Sequence, residues 1–216
     1  MKPDLERLAQ IDAAYKLKNG VLKKDGIVDP EKFASASTRI LWITKEANWD
    51  NSEDVDLKRF FADVTVYRKW KRTCKLIVLV SWGILNNCRT LRDLPSPEQA
   101  LPILQNLAIV NVNKVGGTSR SWQPAINAAY DRDSALLLEQ VEAIHPDVVI
   151  NASRVDRFFR DLVGSEGKYS RVAGSSFECG RNQKLVAVNA HHPNQTKISH
   201  EQYVNSVLAY FNQKAG

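Results

Sequence analysis

Only three cysteines occur in 216 residues, Cys74, Cys88 and Cys179, widely separated and odd in number. That spacing fits neither a disulfide framework nor a Cys-x-x-Cys metal site, so reduced and mostly buried thiols are expected. Long hydrophobic runs are also missing: none approaches the ~20 apolar residues that cross a bilayer. The opening Met1-Lys2-Pro3-Asp4-Leu5-Glu6-Arg7 lacks the apolar stretch of a secretory signal. A soluble cytoplasmic chain with no membrane partner is therefore expected. Neither G-x-G-x-x-G nor G-x-x-x-x-G-K-[ST] follows the first strand candidate, and the Gly116-Gly117 pair is too short to replace them. This argues against a Rossmann-like nucleotide-processing enzyme.

What is present suits one substantial core. Hydrophobic residues make up 44% of the chain, and no repeat, low-complexity tract or linker divides it, so residues 1–216 read as a single domain. Within it, residues 1–35 read as a peripheral helix and turn: Leu5, Leu8, Ile11 and Tyr15 keep a helical period, and Gly20 is a stop. The net charge of +6 and pI near 9.2 make a polyanion a reasonable partner.

Four short apolar runs, Arg39 to Ile43, Leu107 to Val110, Asp147 to Ile150 and Leu185 to Val188, each end abruptly in polar residues. Helical patterns lie between most of them. They predict an α/β fold, a three-layer α/β/α sandwich on a central four-stranded parallel sheet, with ligands bound outside the carboxyl ends of the strands. Residues 52–82 read as mostly helical, although Leu76 to Val80 fits a helix or a strand. Further helices are predicted from Ser96 to about Gln105, Ser134 to Ile144, Val155 to Val163, and from Ser199, where Gln202 completes a capping box. The polar stretch Gly164 to Gln183 has room for a hairpin.

Three strand ends carry chemistry: Thr44-Lys45-Glu46-Ala47-Asn48-Trp49 after the first run, Asn111-Val112-Asn113-Lys114 after the second, and His191-His192-Pro193-Asn194-Gln195 after the last. In this order they resemble the uracil-DNA glycosylase superfamily. Its branches carry a first motif written GQDPYH, GEAPG or GxNPG, an asparagine at the end of the next strand, and a closing HPS-type loop. The likeness extends from about Ile40 to Phe211.

The resemblance implies a monofunctional DNA glycosylase that flips a pyrimidine out of single- or double-stranded DNA and leaves an abasic site. Cleaving the N-glycosidic bond builds positive charge on the sugar and negative charge on the base, so a carboxylate and a hydrogen-bond donor stabilise opposite ends of one transition state. Glu46 is assigned to orienting or activating water, and His192 to the departing base. Asn111, Asn48, Trp49 and His191 are assigned to the base, with Asn113 competing with Asn111 and His191 with His192. Lys45, Lys114, Ser119, Arg120, Ser153, Arg154 and Gln195 are assigned to the DNA backbone.

Each assignment has a plain structural competitor. Glu46 can cap a helix, His192 can sit in a proline turn, Asn111 can satisfy loop backbone, and Trp49 can pack in the core. The Arg68-Lys69-Trp70-Lys71-Arg72 cluster reads first as a solvated helix face around Trp70. Where the uracil-specific branch has Asp, Pro and a bulky Tyr, this chain has Glu46, Ala47 and Asn48, which widens the expected targets to pyrimidines with a C5 substituent, such as the hypermodified bases of bacteriophage DNA, beside uracil. A role in phage defence follows from that target. No lysine stands out as a nucleophile, so hydrolysis by water is expected. No metal, iron–sulfur cluster or other cofactor is expected, nor an obligate protein partner, and the chain is read as a monomer. The rival from another class is a nucleic-acid-binding module of the same fold without turnover.

Overall fold

A computed structural model describes residues 2–50, 52–63, 66–117, 121–172 and 175–212, with backbone alone for 66–72 and 212. Its strands are β1 (Lys23–Lys24), β2 (Gly26–Ile27), β3 (Ile40–Ala47), β4 (Val55–Asp56), β5 (Leu107–Gly116), β6 (Val148–Asn151), β7 (Lys168–Arg171), β8 (Glu178–Arg181) and β9 (Val186–Asn189). Its α-helices are α1 (Leu5–Asn19), α2 (Pro30–Ser35), α3 (Leu57–Ala62), α4 (Val66–Leu85), α5 (Pro97–Ala100), α6 (Gln123–Ile144), α7 (Asp156–Val163) and α8 (His200–Asn212).

The fold is α/β, but its main sheet is wider than the four strands expected. Seven strands pair in the order β2-β5-β3-β6-β9-β8-β7. The four apolar runs form the adjacent and mutually parallel strands β5, β3, β6 and β9. Antiparallel strands flank them: β2 on the β5 side, and the hairpin β7–β8 on the β9 side. The hairpin lies in the polar excursion that had room for one.

Alternation along the strands supplies two cores. Ile40 and Trp42 of β3 join Leu76, Ile77 and Val80 of α4 and Val204 and Val207 of α8 on one face. Leu41 and Ile43 join Ile126, Leu137 and Val141 of α6 and Phe158 and Phe159 of α7 on the other. Helices therefore cover both faces. Leu76 to Val80 is helical, and its burial is anchored by a hydrogen bond from Trp42 Nε1 to Ser81 Oγ of 2.9 Å. The stretch from Ser96 keeps its capping box but continues after Ala100 as a 3-10 helix, because Pro102 interrupts the α pattern.

Residues 1–35 are an integral part of the fold. Helix α1 presents Ile11 and Tyr15 to Ala143 of α6, and β2 extends the main sheet beside β5. Between β1 and β2, Asp25 is buried and accepts from the Asn111 backbone N–H (2.7 Å), Lys114 Nζ (2.7 Å) and Gln140 Nε2 (3.1 Å). The second half of β5 is thus fixed from the amino-terminal segment.

Candidate active site at the carboxyl ends of the parallel strands

Strands β3 and β5 run past their apolar runs. Thr44 pairs with Asn111 and Glu46 with Asn113 in the parallel register, so the polar residues expected in loops continue the ladder. The register shifts after Glu46, and Gly117 donates its N–H to the Ala47 carbonyl at 2.8 Å. This brings the Gly117 backbone against Glu46: a Cβ there would lie 2.1 Å from the Glu46 carboxyl carbon. Glu46 Oε2 accepts from Asn113 Nδ2 at 3.2 Å. The carboxylate is wedged between a glycine and an amide.

Of the two competing asparagines, Asn113 takes the position beside the acid. Asn111 is 5% exposed, and its Oδ1 accepts from Thr44 Oγ1 at 2.8 Å. The carbonyl end of its amide therefore already has one partner inside the sheet. The Asn113 Oδ1 is buried with no hydrogen-bond partner among the described residues.

A cavity of about 280 Å3, to which neither Glu46 nor Asn113 contributes, is lined by Lys45, Ser121, Arg154, His191, His192, Asn194, Gln195, Thr196 and Lys197. Its size sits near the lower end of the roughly 300–1,000 Å3 typical of small-ligand pockets. Lys45 points into it because it alternates with Glu46 along β3. The lining combines lysines, an arginine and imidazoles with no carboxylate. Arg154 reaches it from a left-handed backbone turn, φ 63°, a conformation that costs a non-glycine residue about 1–3 kcal/mol.

His192 holds the more defined proton. Its Nδ1 accepts the Asn194 backbone N–H at 3.1 Å, which leaves Nε2 to carry the hydrogen of the neutral ring. Burial, aided by the nearby Lys45 charge, pushes its pKa down to about 4. His191 is tied differently: Nε2 is 3.0 Å from Ser176 Oγ, its ring packs edge-on against Phe177, and its carbonyl accepts from Tyr203. Burial, with Lys197 and Arg154, lowers its pKa too. Burial and then Arg154 hold the Lys45 amine below its usual range, while Glu46 pulls the other way.

Several assigned residues serve the protein itself. Lys114 is 1% exposed, bonded to Asp25 and Gln140 and placed 5.4 Å from the Tyr15 ring centroid, so it is withdrawn from any DNA phosphate. Ser153 is fully buried and its hydroxyl bridges Asn151 Oδ1 (2.6 Å) and the Val155 N–H (3.2 Å), which corrects its backbone assignment likewise. Gln195 lines the cavity, but its amide folds back on the Lys197 N–H and on both backbone groups of Ile198. Trp49 is half-buried, packed edge-on against Phe60 at 4.7 Å and hydrogen-bonded to Glu53, as its packing alternative had it. Asn48 is exposed. Ser119 and Arg120, and the side chains of the 68–72 cluster, lie outside the described residues.

Reading the sequence missed Trp122. It is 72% exposed at the N-cap of α6, next to the cavity-lining Ser121. The available signal was Pro124 close behind it, a residue that favours the first turn of a helix. A larger cavity of about 800 Å3 lies near Arg39, His145 and Pro146, which precede β3 and β6. Its cations are already paired, Arg7 with Glu139 and Glu142 and Arg39 with Asp147.

No family model matches the chain, and a search of curated proteins gives no match either.

Proposed function

We propose that the protein is a DNA glycosylase, similar to the uracil-DNA glycosylases, that hydrolyses the N-glycosidic bond of an extruded pyrimidine and leaves an abasic site. The observation that carries this reading is His192: a neutral imidazole, fixed as the Nε2–H tautomer, beside a strand-end cavity. A neutral donor of that kind suits negative charge developing on a departing base oxygen. Four adjacent parallel strands with helices on both faces are what the family resemblance implies, here within a wider sheet. The carboxylate that the resemblance assigns to water is Glu46, which does not line this cavity, while Arg154 and Lys197 in its lining supply positive charge for phosphates next to the extruded nucleotide. Exposed Trp122 is a stacking surface, worth about 1–3 kcal/mol per base. Asn48, in place of a bulky aromatic, leaves room for a C5 substituent. Pyrimidines of that kind, including the hypermodified bases of phage DNA, are the preferred substrates, which makes phage defence the role.

One observation favours the binding-module reading. The wall beside His192 is formed by Lys45, while Glu46 is engaged with Asn113. The deciding experiment incubates the protein with DNAs bearing uracil, hypoxanthine, 5-hydroxymethylcytosine or its glucosylated form, then cuts abasic sites with alkali. Cleavage of a pyrimidine substrate that Glu46→Ala abolishes is expected. Binding of all four without cleavage would leave the module, and a faster reaction on uracil than on the modified bases removes the defence role.

Gly117→Ala tests the carboxylate without deleting it. The added methyl must displace Glu46, and a misplacement of about 1 Å lowers catalysis roughly 10²-fold. Single-turnover base release measures the loss, with thermal melting as the control for folding.

A further inference from the structure

The cavity contains a chemically capable amine that hydrolysis by water leaves unused. Lysines 16, 18, 24, 32, 114 and 184 each pair with a carboxylate. Lys45 is half-buried, lines the cavity beside His192 and Arg154, and makes no ion pair or side-chain hydrogen bond among the described residues. Desolvating a lysine and setting it next to another cation are the two standard ways of keeping an amine neutral enough to attack carbon. Both act on Lys45, through burial and through Arg154.

We infer that Lys45 is the nucleophile of a second activity, an abasic-site lyase, in which its amine condenses with the C1′ aldehyde of the ring-opened sugar. This rests on the reading of the protein as a base-excising enzyme, since that enzyme leaves an abasic sugar at this strand end. The Lys45 nitrogen lone pair forms a bond to C1′, and the aldehyde oxygen departs as water with one hydrogen from the amine and one proton from solvent, giving a protonated imine. The imine acidifies C2′, which loses a proton to solvent. The electron pair forms a C2′–C3′ double bond as the C3′–O bond breaks, and the 3′ phosphate leaves as the 5′-phosphate end of the downstream strand. Water then hydrolyses the imine, restoring the amine and freeing the unsaturated aldehyde on the upstream strand. No oxidant, reductant or cofactor enters the balance.

The amine has a simpler rival use, as a ligand for an intact phosphate, and borohydride trapping separates the two. The full-length protein, saturating a synthetic duplex with one preformed abasic site, is treated with sodium borohydride. Reduction of an imine leaves a protein–DNA adduct that survives a denaturing gel. The expected result is an adduct that peptide mapping places on Lys45, with strand cleavage when borohydride is omitted. Lys45→Arg keeps the charge and loses the reactive amine, so at saturating protein it should lower trapping and cleavage on the order of 100-fold or more. Melting curves check that the variant folds. Absence of an adduct, its placement on another residue, or full trapping by Lys45→Arg overturns the proposal. Because the abasic site is supplied, the outcome is independent of base release. Trapping with no release from any base sinks the glycosylase reading and leaves the lyase, and release without trapping does the reverse.

Discussion

Asp25→Ala should destabilise the protein by about 3–5 kcal/mol, the usual cost of removing one partner from a buried ion pair. The carboxylate is 5% exposed as a residue and is the acceptor for three donors, the Asn111 N–H, Lys114 Nζ and Gln140 Nε2. Its loss leaves an ammonium in a site that is almost fully closed to water. Lys114→Ala should cost less, because the remaining carboxylate keeps two neutral donors. Replacing Asp25 and Lys114 together by apolar residues should cost less than the sum of the single changes, since neither charge is then stranded. Urea denaturation of the single and double variants measures these terms. Equal effects at both positions would mean that the Asn111 and Gln140 hydrogen bonds add nothing.

His192→Ala should lower base release by about 10²–10³-fold, the range for losing one donor to a developing oxyanion. His192→Gln, which can still donate an N–H, should recover part of it. With its pKa near 4, the ring stays neutral from about pH 5 upward. Base release should therefore show no loss between pH 8 and 5.5 attributable to this histidine. Stability behaves differently. The unfolded imidazole takes up a proton near pH 6.5 and the folded one resists it until about pH 4. Folding is therefore penalised progressively as pH falls from 6.5 towards 4, by at most about 3 kcal/mol, and the penalty is absent above 6.5. Denaturation at pH 5 and pH 7.5 should show a smaller difference in His192→Ala than in the parent chain.

The parallel strands were readable because each is a short apolar run with an abrupt polar end, and buried parallel strands carry little alternation. Their continuation was not readable. Thr44, Lys45 and Glu46 have loop composition, yet they remain in β3 because β5 extends beside them with Asn111 and Asn113 opposite. Lys114 has the polarity of a surface residue, and only a partner 89 positions earlier explains its burial. That partner sits in Lys24-Asp25-Gly26, which reads as turn-rich, whereas Lys24 ends one very short strand, Gly26 begins the next, and Asp25 is the single residue between them. Helix α6 begins at Gln123, whereas the apolar period becomes regular only from Ser134. At the site, the histidine pair and the lysine of the first strand end meet in one cavity. Which asparagine accompanies Glu46 depended on how far β5 continues, a long-range property that a single strand does not display.

The position of β3 also sets a clock for biosynthesis. It lies between β5 and β6, both of which follow it in the chain, so it leaves the ribosome before either neighbour exists. At translation rates of about 5–20 residues per second, the interval from Ala47 to Val148 lasts on the order of 5–20 s. During that time Ile40-Leu41-Trp42-Ile43 is an apolar segment without its permanent cover. The nascent chain should therefore occupy a holding chaperone until residue 151 has emerged, and slower translation should prolong that occupancy.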